Sequence, residues 1–166
     1  MSGPGNGRTL LPAALEVREL LEGLLGRDVE AVVGVGAIDP RQHPGAMVGA
    51  YVDDTLQLRA LIVADVPLCA YVGASIALVP PTAAAQCVED GLLTPNLYDN
   101  TSEVLNVAAS LFNADGAPHV RLYEAYAPRE MLPGDIAKWV TAFVARLDME
   151  VTIAGYGTGR LSVLVI

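Results

Sequence analysis

Positive charge is what this chain has least of where a nucleic-acid or membrane-binding protein needs it most. Its 166 residues carry 10 Lys and Arg against 19 Asp and Glu, a net charge of −9. The ten cations are scattered rather than clustered, which argues against a nucleic-acid or anionic-membrane surface. No run of 18 apolar residues occurs, so no transmembrane helix is expected. The first ten residues (MSGPGNGRTL) lack the basic and apolar regions of a signal peptide, and a cytoplasmic protein is expected. Cysteine is scarce too. Cys69 and Cys87 form no CxxC and lie in apolar text, so they read as reduced, buried thiols.

The usual self-contained catalytic motifs are missing as well. There is no GxSxG and no HExxH, and neither His43 nor His119 has Cys or Asp neighbours that would make a triad or a metal site. Both histidines read as loop or surface residues, and no metal is expected on this chain. The run GYGTG (155–159) lacks the following Lys of a phosphate loop and sits between two strand-like runs, so it reads as a hairpin turn. Asp53–Asp54 reads as a turn.

What is present is a hydrophobic, globular composition, 52% apolar and 17% charged. The organisation expected is a disordered tail over residues 1–9 and a single domain over 10–166. A helix is expected over Pro12–Leu25, closed by Gly26, with Ala13, Val17, Leu20, Leu21 and Leu24 on its apolar face. Strand-like runs follow between Val29 and Ala64, and LCAYVGASIALV (68–79) extends them as one more strand. A helix through TAAAQCVEDG has Thr82 as N-cap and Gly91 as stop. PHVRLYEAYAP reads as a strand, GDIAKWVTAFVARL as a helix and the C-terminus as a hairpin. The sum is an α+β fold, a two-layer, mainly antiparallel sheet with helices packed on it. A faint echo lays Glu16–Ala31 over Glu103–Pro118, with Glu19 at the place of Asn106; a duplicated helix-plus-sheet unit would produce it.

The segment YDNTSEVLNVAASLFN (98–113) is the most informative. On a helix, Val104, Val107, Ala108, Leu111 and Phe112 form an apolar face. Asp99, Ser102, Glu103, Asn106, Ser110 and Asn113 form a polar stripe without a single Lys or Arg. Solvated helix faces are usually filled with long charged side chains, whereas this stripe is short and includes asparagines, which are poor helix formers. Glu103 and Asn106 are three apart and point the same way, with Asp99 near the expected helix start, where it could cap the first turn. Spacing alone also fits a plain solvent face with an N-cap.

Asp99-x-x-x-Glu103-x-x-Asn106, followed by Pro128 at a strand end, resembles the signature of the CheC/CheX/FliY family of chemotaxis response-regulator phosphatases. Twenty-one residues separate Asn106 from Pro128, one fewer than in the family's pattern. The single motif is most like the CheX branch, because the overlay puts Glu19 where a second Asn would stand. The resemblance implies a CheC-like fold and a phosphorylated, CheY-like receiver domain as substrate. It implies that Asn106 orients the attacking water and that Glu103 takes a salt bridge from the receiver's lysine. Asp99 and Pro128 would support them, and Ser102, Ala109 and Ser110 would form a small-residue docking face. The Mg²⁺ of the reaction would sit on the receiver, with no cofactor on this chain. A homodimer is expected, since CheX-like relatives are dimers and LSVLVI reads as an unprotected sheet edge. The rival implication is a non-catalytic adaptor on the same scaffold, like the relatives in the flagellar switch.

Overall fold

The computed structural model describes residues 7–166. The tail expected over residues 1–9 lies mostly outside the described residues; within them, Thr9 is buried. In chain order the elements are α1 (Ala14–Leu25), β1 (Val29–Val33), β2 (Ala46–Val52), β3 (Leu58–Asp65), α2 (Val66–Ile76), α3 (Pro81–Asp90) and α4 (Pro95–Val107). After α4 come a 3-10 turn (Ala108–Phe112), β4 (Arg121–Tyr126), the one-turn α5 (Gly134–Ala137), β5 (Arg146–Ile153) and β6 (Gly157–Val165). The six strands form one antiparallel sheet in the order β1-β5-β6-β3-β2-β4.

That order is unchanged when β1 is exchanged for β4, β2 for β5 and β3 for β6. Each half runs helix, edge strand, long connection, hairpin, and the hairpin of each half pairs with the edge strand of the other. The echo between Glu16–Ala31 and Glu103–Pro118 falls on α1 and α4, which open the two halves. The fold is therefore α+β with the expected antiparallel sheet, arranged as a two-fold repeat.

The sheet is apolar on both faces. Met47, Tyr51, Ile62, Met149, Val151 and Val163 face the helices and pack with Val17 and Leu21 of α1, Leu68 and Val72 of α2, and Val104 and Leu105 of α4. Val48, Ala50, Leu61, Val63 and Leu164 face the opposite way, under the two long connections, where Ile38, Ile136 and Val140 cover them. Burial of this kind stabilises by about 25 cal/mol per Å² of apolar surface.

Two segments depart from expectation. LCAYVGASIALV is not a strand: α2 begins directly after β3, with Pro67 in its first turn and Asp65 as N-cap, whose Oδ1 accepts from the Leu68 amide at 3.0 Å. The helix is apolar nearly all round because it is buried nearly all round, wedged between the sheet and α4. Two glycines allow this. A Cβ on Gly159 would lie 2.4 Å from the Leu68 backbone nitrogen, and one on Gly73 would lie 2.6 Å from the Leu97 carbonyl oxygen.

The second departure is GDIAKWVTAFVARL, of which only Gly134–Ala137 is helical. Ile136 and Val140 are drawn onto the sheet. The Arg146 guanidinium, held by Asp148, donates to the carbonyls of Val140 and Ala142, so these pair with a side chain instead of continuing a helix. Smaller shifts occur elsewhere. Thr82 lies inside the first turn of α3, with Pro80 at the cap position, while Gly26 and Gly91 end their helices in the left-handed conformation as expected. The GYGTG run does form the β5–β6 turn. Both cysteines are free and buried, and burial pushes the Cys69 thiol well above its usual pKa. Among the described residues, no helix is long and apolar enough to cross a membrane.

Candidate functional site

The helix α4 starts four residues earlier than its motif suggests, because Pro95 suits a first turn and Thr94 takes the cap position. Asp99 therefore lies more than a turn inside the helix and does not cap it. Its rotation about its axis is set on the buried side. Thr101 Oγ1 donates to the Cys69 carbonyl at 2.8 Å and Asn100 Nδ2 to the Gly73 carbonyl at 3.1 Å, both on α2. Tyr51 Oη, from β2, donates to the Leu105 carbonyl at 2.5 Å, and Tyr98 Oη donates to the Ala125 carbonyl on β4 at 3.0 Å. Four hydrogen bonds to three neighbouring elements leave one face of α4 outward.

That face is Asn96, Asp99, Glu103, Asn106 and Ser110, all exposed and spaced by three or four residues. Asn106 Nδ2 lies 3.4 Å from Glu103 Oε1, a long contact between two solvent-facing side chains. No other protein partner is seen for the Asn106 amide among the described residues. Val107, expected on the apolar face, is instead 40% exposed beside Asn106. Leu105, Ala108 and Phe112 are buried, as the periodicity requires.

The remaining site residues divide. Ser110 is exposed, and Ser102 is half-buried with its hydroxyl donating to the Tyr98 carbonyl one turn back. Ala109 is buried, its methyl part of the helix-side core, so it falls off the outward face expected of it. Asn113 leaves the stripe as well: its amide makes two hydrogen bonds to the Val120 backbone and closes the loop before β4. Pro128 lines a groove of about 130 Å³ with Leu92, Leu93 and Tyr98. The groove meets α4 at Tyr98, eight residues or about 12 Å along the axis from Asn106. Proline and pair flank the same helix at different heights.

On α1, Glu16 and Glu19 are exposed, but the Glu16 carboxylate accepts from the Ala13 amide at 3.0 Å and so caps its own helix. No cluster of three or more His, Cys, Asp or Glu side chains able to hold a metal occurs among the described residues. The residues missed from sequence are those that aim the helix: Gly73, Asn100, Thr101 and Tyr51. The available signal was polar Asn100 and Thr101 interrupting the buried side of an amphipathic helix.

No protein-family model matches the sequence, and no curated protein does. Solved structures do. CheX in the CheX–CheY–BeF3–Mg complex from Borrelia burgdorferi matches with a TM-score of 0.54 at 12% identity, over 93% of this chain and 99% of that one. The middle domain of FliM from Vibrio alginolyticus matches with a TM-score of 0.54 at 11% identity, over 92% and 87%. FliY from Thermotoga maritima matches with a TM-score of 0.50 at 14% identity, over 90% and 81%. The likeness is one of fold and does not separate the branches: this chain has the fold shared by CheX, FliY and the FliM middle domain.

Proposed function

We propose that the protein is a phosphatase for the aspartyl phosphate of a CheY-like receiver domain, working through Glu103 and Asn106. The observation that carries the reading is the outward pair on α4: a carboxylate and an amide one turn apart, on a face without Lys or Arg, free of other protein contacts. Asn106 would hold a water in line with the phosphorus, and Glu103 would meet the receiver's lysine and set the register. Asp99 extends the acidic side of the face, and Ser102 and Ser110 keep its neighbours short. Pro128 shapes the groove at the other end of the helix. The Mg²⁺ would be the receiver's. This chain contributes no covalent step and no metal. Receiver domains of this kind are cytoplasmic, and the reading places the protein there.

The likeness to FliM favours a second reading, a non-catalytic adaptor that binds its partner through the same scaffold. Mixing the protein with a phosphorylated receiver separates the two. Faster loss of phosphate, dependent on catalytic rather than stoichiometric amounts, supports the enzyme. An unchanged or lengthened phosphate lifetime overturns it and leaves the adaptor.

A further inference from the structure

On the side of the sheet away from α4, the two long connections enclose a cleft of about 550 Å³. Arg41 and His43 come from the first connection, and Arg129, Met131, Leu132 and Val140 from the second. The volume lies within the range of small-molecule sites, roughly 300–1,000 Å³. Three features set it apart from a chance depression between loops.

Arg129 is the first. Like Arg8, Arg27, Arg121 and Arg160, it takes part in none of the ion pairs among the described residues, which join Arg18, Arg41, Arg59 and Arg146 to carboxylates. What is particular to it is its place on the cleft wall. Its Nη2 instead contacts His43 Nδ1 at 2.8 Å. A guanidinium can only donate, so Nδ1 is the acceptor in this contact. The arginine is held in place by a group that is not a carboxylate. The second feature is the turn that holds it. Arg129 follows Pro128 in the Ala127–Glu130 turn, closed by the Glu130 amide on the Ala127 carbonyl at 3.0 Å, and its φ of +70° is the one the third residue of such a turn takes. The third is the next residue, Met131, whose flexible apolar side chain is 91% exposed at the cleft.

The charges on the lining select the ligand. Glu130, also on the lining, accepts from the Ala127 amide through Oε2 and forms no ion pair with Arg129. Arg41 is already taken by Asp39 through two hydrogen bonds at 3.0 Å. One free guanidinium beside an apolar wall of Met131, Leu132 and Val140 suits a monoanion with an apolar body and not a phosphate dianion. We propose that this cleft binds a small carboxylate bearing an aliphatic chain, its carboxylate on Arg129 and its chain along Met131 and Leu132. The proposal is independent of the reaction assigned to α4.

Methionine-methyl NMR of the whole protein tests it, with butanoate, hexanoate and octanoate as probes. Met131 should shift saturably, with affinity rising about fourfold for each added methylene. Met47 and Met149, buried on the helix side, should stay still. Hexanamide, which matches hexanoate in shape without its charge, should bind at least about tenfold more weakly, and Arg129→Gln should weaken hexanoate by a similar factor. Where Arg129→Gln disturbs the Met47 or Met149 signals, Met131→Glu is the deciding variant. It alters an exposed side chain, places a like charge in the cleft and should abolish hexanoate binding, read from the methyl signals of Leu132 on the cleft wall, which should respond to hexanoate in the wild type. A Met131 methyl that does not saturate, equal responses to hexanoate and hexanamide, or binding unaffected by both variants would overturn the proposal.

Discussion

Glu103 and Asn106 share a face and differ in when each would act. An amide that only orients water works in the transition state, so Asn106→Ala should cut receiver dephosphorylation by orders of magnitude while binding stays nearly intact. Glu103 would meet a lysine already present in the complex, so Glu103→Ala should weaken binding and turnover together. Both are surface changes, expected to alter stability by no more than about 0.5 kcal/mol. Single-turnover phosphate loss and a titration with unphosphorylated receiver separate the two effects; equal lifetimes with wild type and Asn106→Ala would end the enzymatic reading. Away from the site, the Asp53 carboxylate accepts four hydrogen bonds. The Thr55 hydroxyl foremost, with Arg59 and the amides of Gln57 and Thr55, holds its carboxyl far below the usual range. A depressed folded pKa means that its stabilisation is complete above the ordinary carboxylate pKa and is lost as pH falls towards the folded one. The gap in Tm between wild type and Asp53→Asn should therefore be widest near neutral pH and narrow below about pH 4. At this scale the sequence was readable where spacing carries the information. Three-residue separation put Glu103 and Asn106 on one face. Ala109, four after Leu105 and three before Phe112, has the spacing of the buried side and was placed outward only by the resemblance, whereas nothing in the spacing told that Asn113 would close a loop.

Among the elements, α2 shows why apolar runs mislead. A strand buried on both faces and a helix buried all round present the same continuous hydrophobic text, and periodicity does not separate them. The discriminating residues were at the start, Asp65 as cap and Pro67 in the first turn, which is a helix opening rather than a strand continuation. The converse error fell on residues 134–147, where Ile136, Val140 and Val144 have helical spacing. They lie on the sheet instead, with carbonyls of that stretch taken by Arg146. The motif helix was legible because its two faces differ so sharply, but its orientation depends on α2, which sequence had placed in the sheet. Gly73→Ala should force α2 and α4 apart, since the new methyl would meet the Leu97 backbone rather than a side chain that can yield. A loss of about 1–3 kcal/mol in denaturant unfolding is expected. Thr101→Val keeps the shape and removes the bond to the Cys69 carbonyl, for about 1 kcal/mol. Under the proposed reaction, Thr101→Val should also slow turnover with little change in receiver binding, because it loosens the helix that aims Asn106 and touches no partner surface.

For the whole molecule, the two-fold order of the sheet decides where it can associate. LSVLVI, read as an exposed edge, is the inner strand β6, paired on one side with β5 and on the other with β3. Sequence reads a strand's polarity but not its neighbours, and a strand apolar on both faces belongs in the middle of a sheet covered on both sides. The true edges are β1 and β4, each paired on one side only. They are not alike. β4 (RLYEAY) carries two charged residues, Arg121 and Glu124, both exposed, the sort of charge that deters further pairing. β1 ends in Val32 and Val33, which are 59% and 53% exposed, on an edge with Glu30 as its only charge. For the homodimer expected from the sequence, β1 (residues 29–33) and not the C-terminal strand is the edge that would extend into a second copy. Light scattering at tens of micromolar should give twice the 17.4 kDa chain mass. Val33→Lys should return it to a monomer, while Tyr123→Lys on β4 should leave the dimer unchanged. Since α4 belongs to the half that carries β4, loss of the dimer by Val33→Lys should leave receiver dephosphorylation intact. A wild-type protein that is monomeric under these conditions removes the dimer, and a dimer that survives Val33→Lys removes the β1 edge as its seam.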